Sequence, residues 1–172
     1  MTTRNRGFEP VKTHMIQNTS KVITESTPLK REDGDWIGGV MLPVRSDARS
    51  AGYDFHAPRD LTILPAQKLL VWTDVKAYML DDEMLTLLPR SSTGIKKGLM
   101  LSNTMGLIDA SYYENESNDG NIGLSLLNTS GKAIHFAQGE RIVQGVFSKY
   151  LTVDEEEHVT VTRKGGMGSS GK

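Results

Sequence analysis

The sequence predicts an all-β chain: a barrel, sandwich or jelly roll of many short strands. Three observations predict it. From Val40 onward, apolar runs of four to eight residues, rich in Val, Ile, Leu and Thr, recur about every ten residues. Gly, Pro, Asn and Asp stand between the runs, where turns need them. Only Arg90–Lys97 has the length and composition of a short helix, and Gly94 weakens it.

Taken in order, the expected strands are VMLPV (40–44), LTILPA (61–66), KLLVWTDV (68–75), MLTLLP (84–89), GLMLSN (98–103), NIGLSLLN (121–128), KAIHFA (132–137) and RIVQGVF (141–147). In the last run, strict alternation puts Arg141, Val143, Gly145 and Phe147 on one face and Ile142, Gln144 and Val146 on the other. A buried Arg141 needs a carboxylate partner, either Asp54 or Glu140. Residues 1–38 are polar and weakly patterned, either a strand with a long loop or a partly ordered arm. Residues 39–151 form the core. Residues 152–172 combine an acidic stretch, Asp154–Glu157, with a Gly- and Ser-rich end that cannot bury a core.

Composition narrows the function. With 20 basic against 21 acidic residues, the net charge is -1, so no basic surface for a nucleic-acid polymer is expected. There is no cysteine, which excludes disulfides and thiolate metal sites, and the four histidines lack ligand spacing. No run approaches membrane length, and MTTRNRGFEP has no apolar leader region. These features read as a cytoplasmic protein.

Several short stretches carry chemistry. SNTMGLIDASYY (102–113) places Asp109 at the end of an apolar run, with Tyr112 three residues on. It is either a strand end with a turn or a general base at the floor of a pocket. PRSSTG (89–94) offers hydroxyls, N–H groups and a guanidinium to phosphate oxygens, or simply turns the chain. AGYDFHA (51–57) sets Asp54 in a buried-looking strand, and GERIVQGVF (139–147) sets Gln144 in another. The tail's glycines, serines and Arg163 suit either a loose end or an anion clamp.

In order, AGYDF, PRSS, N-x-x-G-x-I-D-x-x-Y, G-E-R-I-x-Q and R-x-G-G-x-G-S-S-G resemble the motifs of the trimeric dUTPase family, across residues 43–172. RGFE (6–9) resembles the start of the form found in Gram-positive bacteria and their phages. The resemblance implies a distorted jelly roll, assembled as a homotrimer whose C-terminal tails are exchanged between subunits. It implies hydrolysis of dUTP to dUMP and pyrophosphate with Mg²⁺. Asp109 would activate the attacking water, Ser91 would donate between the α- and β-phosphates, and Gln144 would hold the water or a phosphate oxygen. Arg90 and Ser92 would face phosphate. Asn103, Gly106 and Ile108 would read the uracil edge, and Tyr112 would stack under the deoxyribose. Arg163, Gly166, Gly168, Ser169 and Ser170 would clamp the γ-phosphate. Asp54 would reach the metal through water, and Arg141 would be structural.

The chain departs from the family pattern at two places. Met167 stands where the tail normally carries an aromatic, so a replacement is expected from Phe8, Trp36 or Tyr113. After Tyr112, a longer polar loop, YENESNDG (113–120), is expected to project as a contact surface for a protein partner, as is the long N-terminal region. Those loops motivate a dUTP-sensing protein on the same fold as an alternative. A dCTP deaminase is disfavoured, because Ser125 stands where that family needs a glutamate.

Overall fold

In a computed structural model, residues 4–18, 36–37 and 39–154 are described. They form fourteen strands: β1 (Gly7–Pro10), β2 (Trp36–Ile37), β3 (Val40–Met41), β4 (Val44–Arg45), β5 (Tyr53–His56), β6 (Leu61–Ile63), β7 (Lys68–Trp72), β8 (Val75–Tyr78), β9 (Glu83–Pro89), β10 (Leu99–Leu101), β11 (Gly106–Asp109), β12 (Gly123–Asn128), β13 (Ile134–Phe136) and β14 (Arg141–Lys149). The helical pieces among the described residues are short turns, including one wide turn at Ser92–Lys96 where a short helix was expected. The fold is an all-β jelly roll.

Its largest sheet has the order β11-β9-β14-β5-β4, and a second has β10-β12-β7. Alternation of buried and open residues along β9 and β12 gives each sheet one inward face. Leu85, Leu87, Phe55 and Val143 of the first sheet share one core with Leu99, Leu101, Leu124 and Leu126 of the second. Gly145 lies on the inward face of β14. A Cβ there would come within 2.9 Å of both Leu85 and Phe55, so nothing larger fits.

Two strand expectations need correction. KLLVWTDV is not one strand. Asp74 adopts φ 60, breaking the run into β7 and β8, and its buried carboxylate then organises the turn. The strict alternation in 141–147 also fails. The register slips between Arg141 and Val143, so Ile142 is a bulge and both Ile142 and Val143 are buried. Arg141 therefore opposes His56 while Gln144 opposes Asp54, two positions on one face of β5. The bulge moves Arg141 to the same side as Gln144.

Among the described residues of the N-terminal region, Gly7–Pro10 form a strand. β1 pairs antiparallel with β8, and Phe8 packs against Tyr53, Phe55 and Phe147 at ring-centroid distances of 5.3–5.5 Å. Residues 11–18 are then clipped to the body by two buried aspartates. Asp119 accepts from the Lys12 amide at 2.7 Å, and Asp74 accepts from the Gln17 and Asn18 amides. The stretch 19–35 and the tail 155–172 lie outside the described residues.

The loop at 113–120 is open to solvent only in part, at Glu114, Glu116 and Ser117. Asn115, Asp119 and Gly120 are buried, and Lys76 (4% exposed) bonds both Glu114 and Asp119. Burial alone would lower the Lys76 pKa, but these two carboxylates outweigh it and raise it. The loop is a half-buried cap: Glu114, Glu116 and Ser117 face solvent, while Asn115 and Asp119 turn inward to partners on the body.

Arg6 grips Glu83 at the start of β9 with a 2.5 Å ion pair, and Glu83 is 4% exposed. The Arg6 bond holds the Glu83 carboxyl below its ordinary value of 4.5. A depressed carboxylate stabilises the fold above the unfolded value and loses that contribution as pH falls through the folded one. Arg6→Met is therefore expected to lower the urea midpoint at neutral pH, with the gap to wild type closing below about pH 4.5, as equilibrium unfolding across pH would record.

Candidate active site

The residues singled out from the sequence fall into two groups around the five-stranded sheet, with Asp54, Gln144 and Asp109 on its outer face. The first gathers where β9 ends and the wide turn begins. Asp54 of β5, 4% exposed, takes the Arg90 Nε at 2.7 Å, the Ser46 hydroxyl at 2.7 Å and an Arg141 terminal N–H at 3.4 Å. The expected Arg141–Asp54 pair is present, but Arg90 is the shorter contact. Arg90 is thus anchored and also donates to the Ser92 hydroxyl at 3.4 Å. Thr93 ties this turn to β14: its hydroxyl lies 3.0 Å from the carbonyl oxygens of Arg90 and of the bulged Ile142. The bulge leaves that carbonyl outside the ladder, and Thr93 satisfies it.

Gln144 belongs to the same group. Its amide donates to the Pro89 carbonyl at 3.3 Å, directly before Arg90. Gly52 makes room for it, since a Cβ there would collide with the Gln144 amide oxygen. Ser91 and Ser92 are exposed at the opening of the turn.

The second group lies on and after β11. Gly106, Ile108 and Asp109 pair with Leu87, Leu85 and Met84 of β9. Asn103 is exposed in the turn that leads from β10 to β11, where the Met105 amide donates to its carbonyl at 2.8 Å. Asp109 ends the strand in an extended conformation, φ -83 and ψ 156, before the turn Ala110–Tyr112. It opens on a cleft of about 610 Å³ lined by Asp81, Met84, Leu107, Asp109, Ala110, Ser111 and Tyr150. Tyr112 is 3% exposed. Its hydroxyl donates to the Asn121 carbonyl and accepts from Asn118, each at 2.8 Å.

The two groups are far apart within one chain. Asp109 faces Met84 across β9, and Gln144 faces Leu88 from the other side. Four residues along a strand and two strand spacings across it separate them by about 16 Å. Arg163, Gly166, Met167, Gly168, Ser169 and Ser170 lie outside the described residues. Among the residues nominated to replace the tail aromatic, Phe8 is packed in the ring cluster. Tyr113 is bonded to Glu9 at 2.6 Å, and burial with that bond pushes its phenol pKa up. Both side chains are committed to their own subunit. Asp81, Met84, Ser111 and Tyr150 were not foreseen as cleft residues. The Tyr150 hydroxyl bonds the Asp81 carbonyl at 2.6 Å, a contact over 69 positions that no local pattern signals.

The family model for dUTPase matches residues 39–171, which include both groups and the tail. The chain belongs to the dUTPase family. It is 40% identical over 134 residues to a deoxyuridine 5′-triphosphate nucleotidohydrolase of Lactococcus lactis, covering 77% of this chain and 89% of the relative. The structure superimposes on the crystal structure of a dUTPase from Streptococcus mutans with a TM-score of 0.66. That match has 36% identity and covers 86% of this chain and 98% of that one. A dUTPase from phage phi11 of S. aureus, described with a structural Mg(II) ion, shares the fold at 20% identity and a TM-score of 0.58, over 70% of this chain and 91% of that one.

Asp54 holds two arginines of this dUTPase at once, so neutralising it frees both. Asp54→Asn is expected to lower stability by about 1–3 kcal/mol. It should also reduce turnover more than substrate affinity if Arg90 must stay where it is; thermal unfolding and steady-state kinetics check the two effects separately.

Proposed function

We propose that the chain hydrolyses dUTP to dUMP and pyrophosphate, limiting uracil in DNA and supplying dUMP for dTMP synthesis. The observation that carries this is Asp109. It ends β11 at the rim of an open cleft of about 610 Å³, in a chain that belongs to the dUTPase family. Asp109 accepts a proton from a water as the water oxygen bonds to the α-phosphorus, and the bond to the bridging oxygen breaks to release pyrophosphate. Ser91 donates to that bridging region, where charge grows, and Ser92 adds its backbone N–H. Gln144 holds the water or a phosphate oxygen. Asn103, Gly106 and Ile108 read the uracil edge through backbone groups. Tyr112 forms the wall under the deoxyribose, and its burial makes that wall too stiff to admit a 2′-hydroxyl. Arg163 with Gly166, Met167, Gly168, Ser169 and Ser170 closes over the nucleotide.

Mg²⁺ fits as an ion carried by the phosphates. Among the described residues, no three His, Cys, Asp or Glu side chains converge to cage a metal. The Asp54 carboxylate has about four acceptor positions. Three are taken by Arg90, Arg141 and Ser46, leaving one for a metal-bound water. When bound, the ion neutralises the triphosphate.

The 16 Å gap between Asp109 and Gln144 supports a site shared between subunits of a homotrimer, in which one chain lends the Asp109 end and a neighbour the Ser91–Gln144 end. The outer sheet face that carries both groups also presents Leu107, 51% exposed, and the half-buried Met84, Leu88 and Val146. Such a face gains from being covered. No helix of the described residues is long and apolar enough to cross a membrane. Deamination lacks its acid, since Ser125 only shares a hydrogen bond with Ser102 at 2.5 Å.

Asp109→Asn is expected to slow pyrophosphate release from dUTP by about 10²–10⁴-fold, with dCTP, dTTP and UTP poor substrates for the wild type. Ammonia released from dCTP would instead indicate a deaminase. Subunit mixing tests the shared site. Inactive Asp109→Asn and Gln144→Ala proteins, unfolded and refolded together, should regain activity that neither shows alone; no recovery would place both residues in one subunit's site.

A further inference from the structure

Tyr112 is gripped from two directions by the loop that follows it. Asn115 donates to the Tyr112 carbonyl at 2.9 Å, while Asn118 donates to its hydroxyl at 2.8 Å. The orientation of the Asn118 amide is dictated by its neighbours. Its oxygen accepts from the Gly120 N–H at 3.1 Å and from Asn115 at 2.7 Å, so its nitrogen must face Tyr112 and the Asn121 carbonyl. Gly120, with φ +82, closes the loop so tightly that a Cβ would lie 2.9 Å from the Tyr112 carbonyl oxygen. The loop is held to the body by Asp119, which bonds Lys76 at 3.1 Å and the Lys12 amide at 2.7 Å.

We propose that Asn118 is a positioning residue for substrate selection: by fixing the Tyr112 phenol it holds the wall that separates a 2′-deoxyribonucleotide from a ribonucleotide. This rests on the reading of Tyr112 as the sugar wall. The physical reason is that steric rejection is only as strong as the wall is stiff. A 2′-hydroxyl adds one oxygen, and a ring free to shift by a fraction of an ångström would admit it. Asn118 touches neither reacting atoms nor substrate; it acts through one hydrogen bond at the far tip of the ring. The polar stretch after Tyr112 thus serves the site from behind.

The test is the ratio of kcat/KM for dUTP to that for UTP. Asn118→Ala, and the near-isosteric Asn118→Asp, which keeps the acceptor and removes the donor, are expected to lower the ratio about tenfold, near what one hydrogen bond is worth. The loss should come through improved use of UTP, with kcat on dUTP nearly unchanged. Tyr112→Phe should lower the ratio similarly, and Asn118→Ala should add nothing in that background. An unchanged ratio in both Asn118 variants beside a lowered ratio in Tyr112→Phe would overturn the proposal and leave the sugar-wall reading standing. An unchanged ratio in Tyr112→Ala as well would overturn both. Additive effects of the two substitutions would overturn the route through the hydroxyl.

Discussion

The structure depends on one rigid strand. β9 runs seven residues through the large sheet, paired with β11 on one side and β14 on the other. Pairing fixes Asp109 against its first half and Gln144 against its last, while Arg90 follows directly after its end. A hydrogen-bonded strand between two neighbours cannot shorten or fold to bring these groups together. The chemistry that the motifs imply needs them within a few ångströms of one substrate. On the proposed reading, the sheet makes association part of catalysis, and the partly apolar outer face around Leu107 and Val146 supports it.

The same sheet explains how a strand can carry function on one face and a core on the other. Gly145 is forced on the inward side by Leu85 and Phe55, and Gly52 on the outward side by Gln144. The bulge at Ile142 is the device that reconciles them. It buries two successive apolar residues and returns Arg141 to the outer face beside Asp54. It also frees a carbonyl for Thr93, which locks the turn bearing Ser91 and Ser92 to β14. One inserted residue aligns three motifs that are distant in sequence.

Much of this was legible in the residue pattern. Period-two burial in Leu85–Leu88 and Leu124–Leu127 follows the apolar alternation of the sequence, and the chemical groups announced themselves as polar residues inside apolar runs. What stayed hidden was set by contacts distant in sequence. A bulge leaves no local signal in RIVQGVF, where Ile142 and Val143 suit either face. Asp74 lay inside an apolar run, and only its positive φ and its bonds to Asn18 and Asn121 reveal a corner. The stretch 113–120 was half legible: its composition is that of an exposed loop, which suits Glu114, Glu116 and Ser117 but not the buried Asn115 and Asp119. Burial of polar residues depends on partners, and Lys12 and Lys76 are 107 and 43 positions from Asp119.

That buried cap gives the chain a second kind of precision. Lys76, Asp119 and Asp74 are charged groups taken almost wholly from water, an arrangement that stabilises only when every partner is in place. Its worth lies in uniqueness more than in strength. A loop closed by apolar contacts alone could slide by a fraction of an ångström at little cost. One closed by directional bonds to Lys76, Lys12 and the asparagines has a single low-energy arrangement. Tyr112 sits inside that arrangement, three residues from Asp109. The N-terminal strand, the polar cap and the turn after Asp109 are thereby one continuous set of contacts. The stretch from β1 to Lys12, which read as a strand or an arm, is joined through Lys12 and Asp119 to the loop that holds Tyr112.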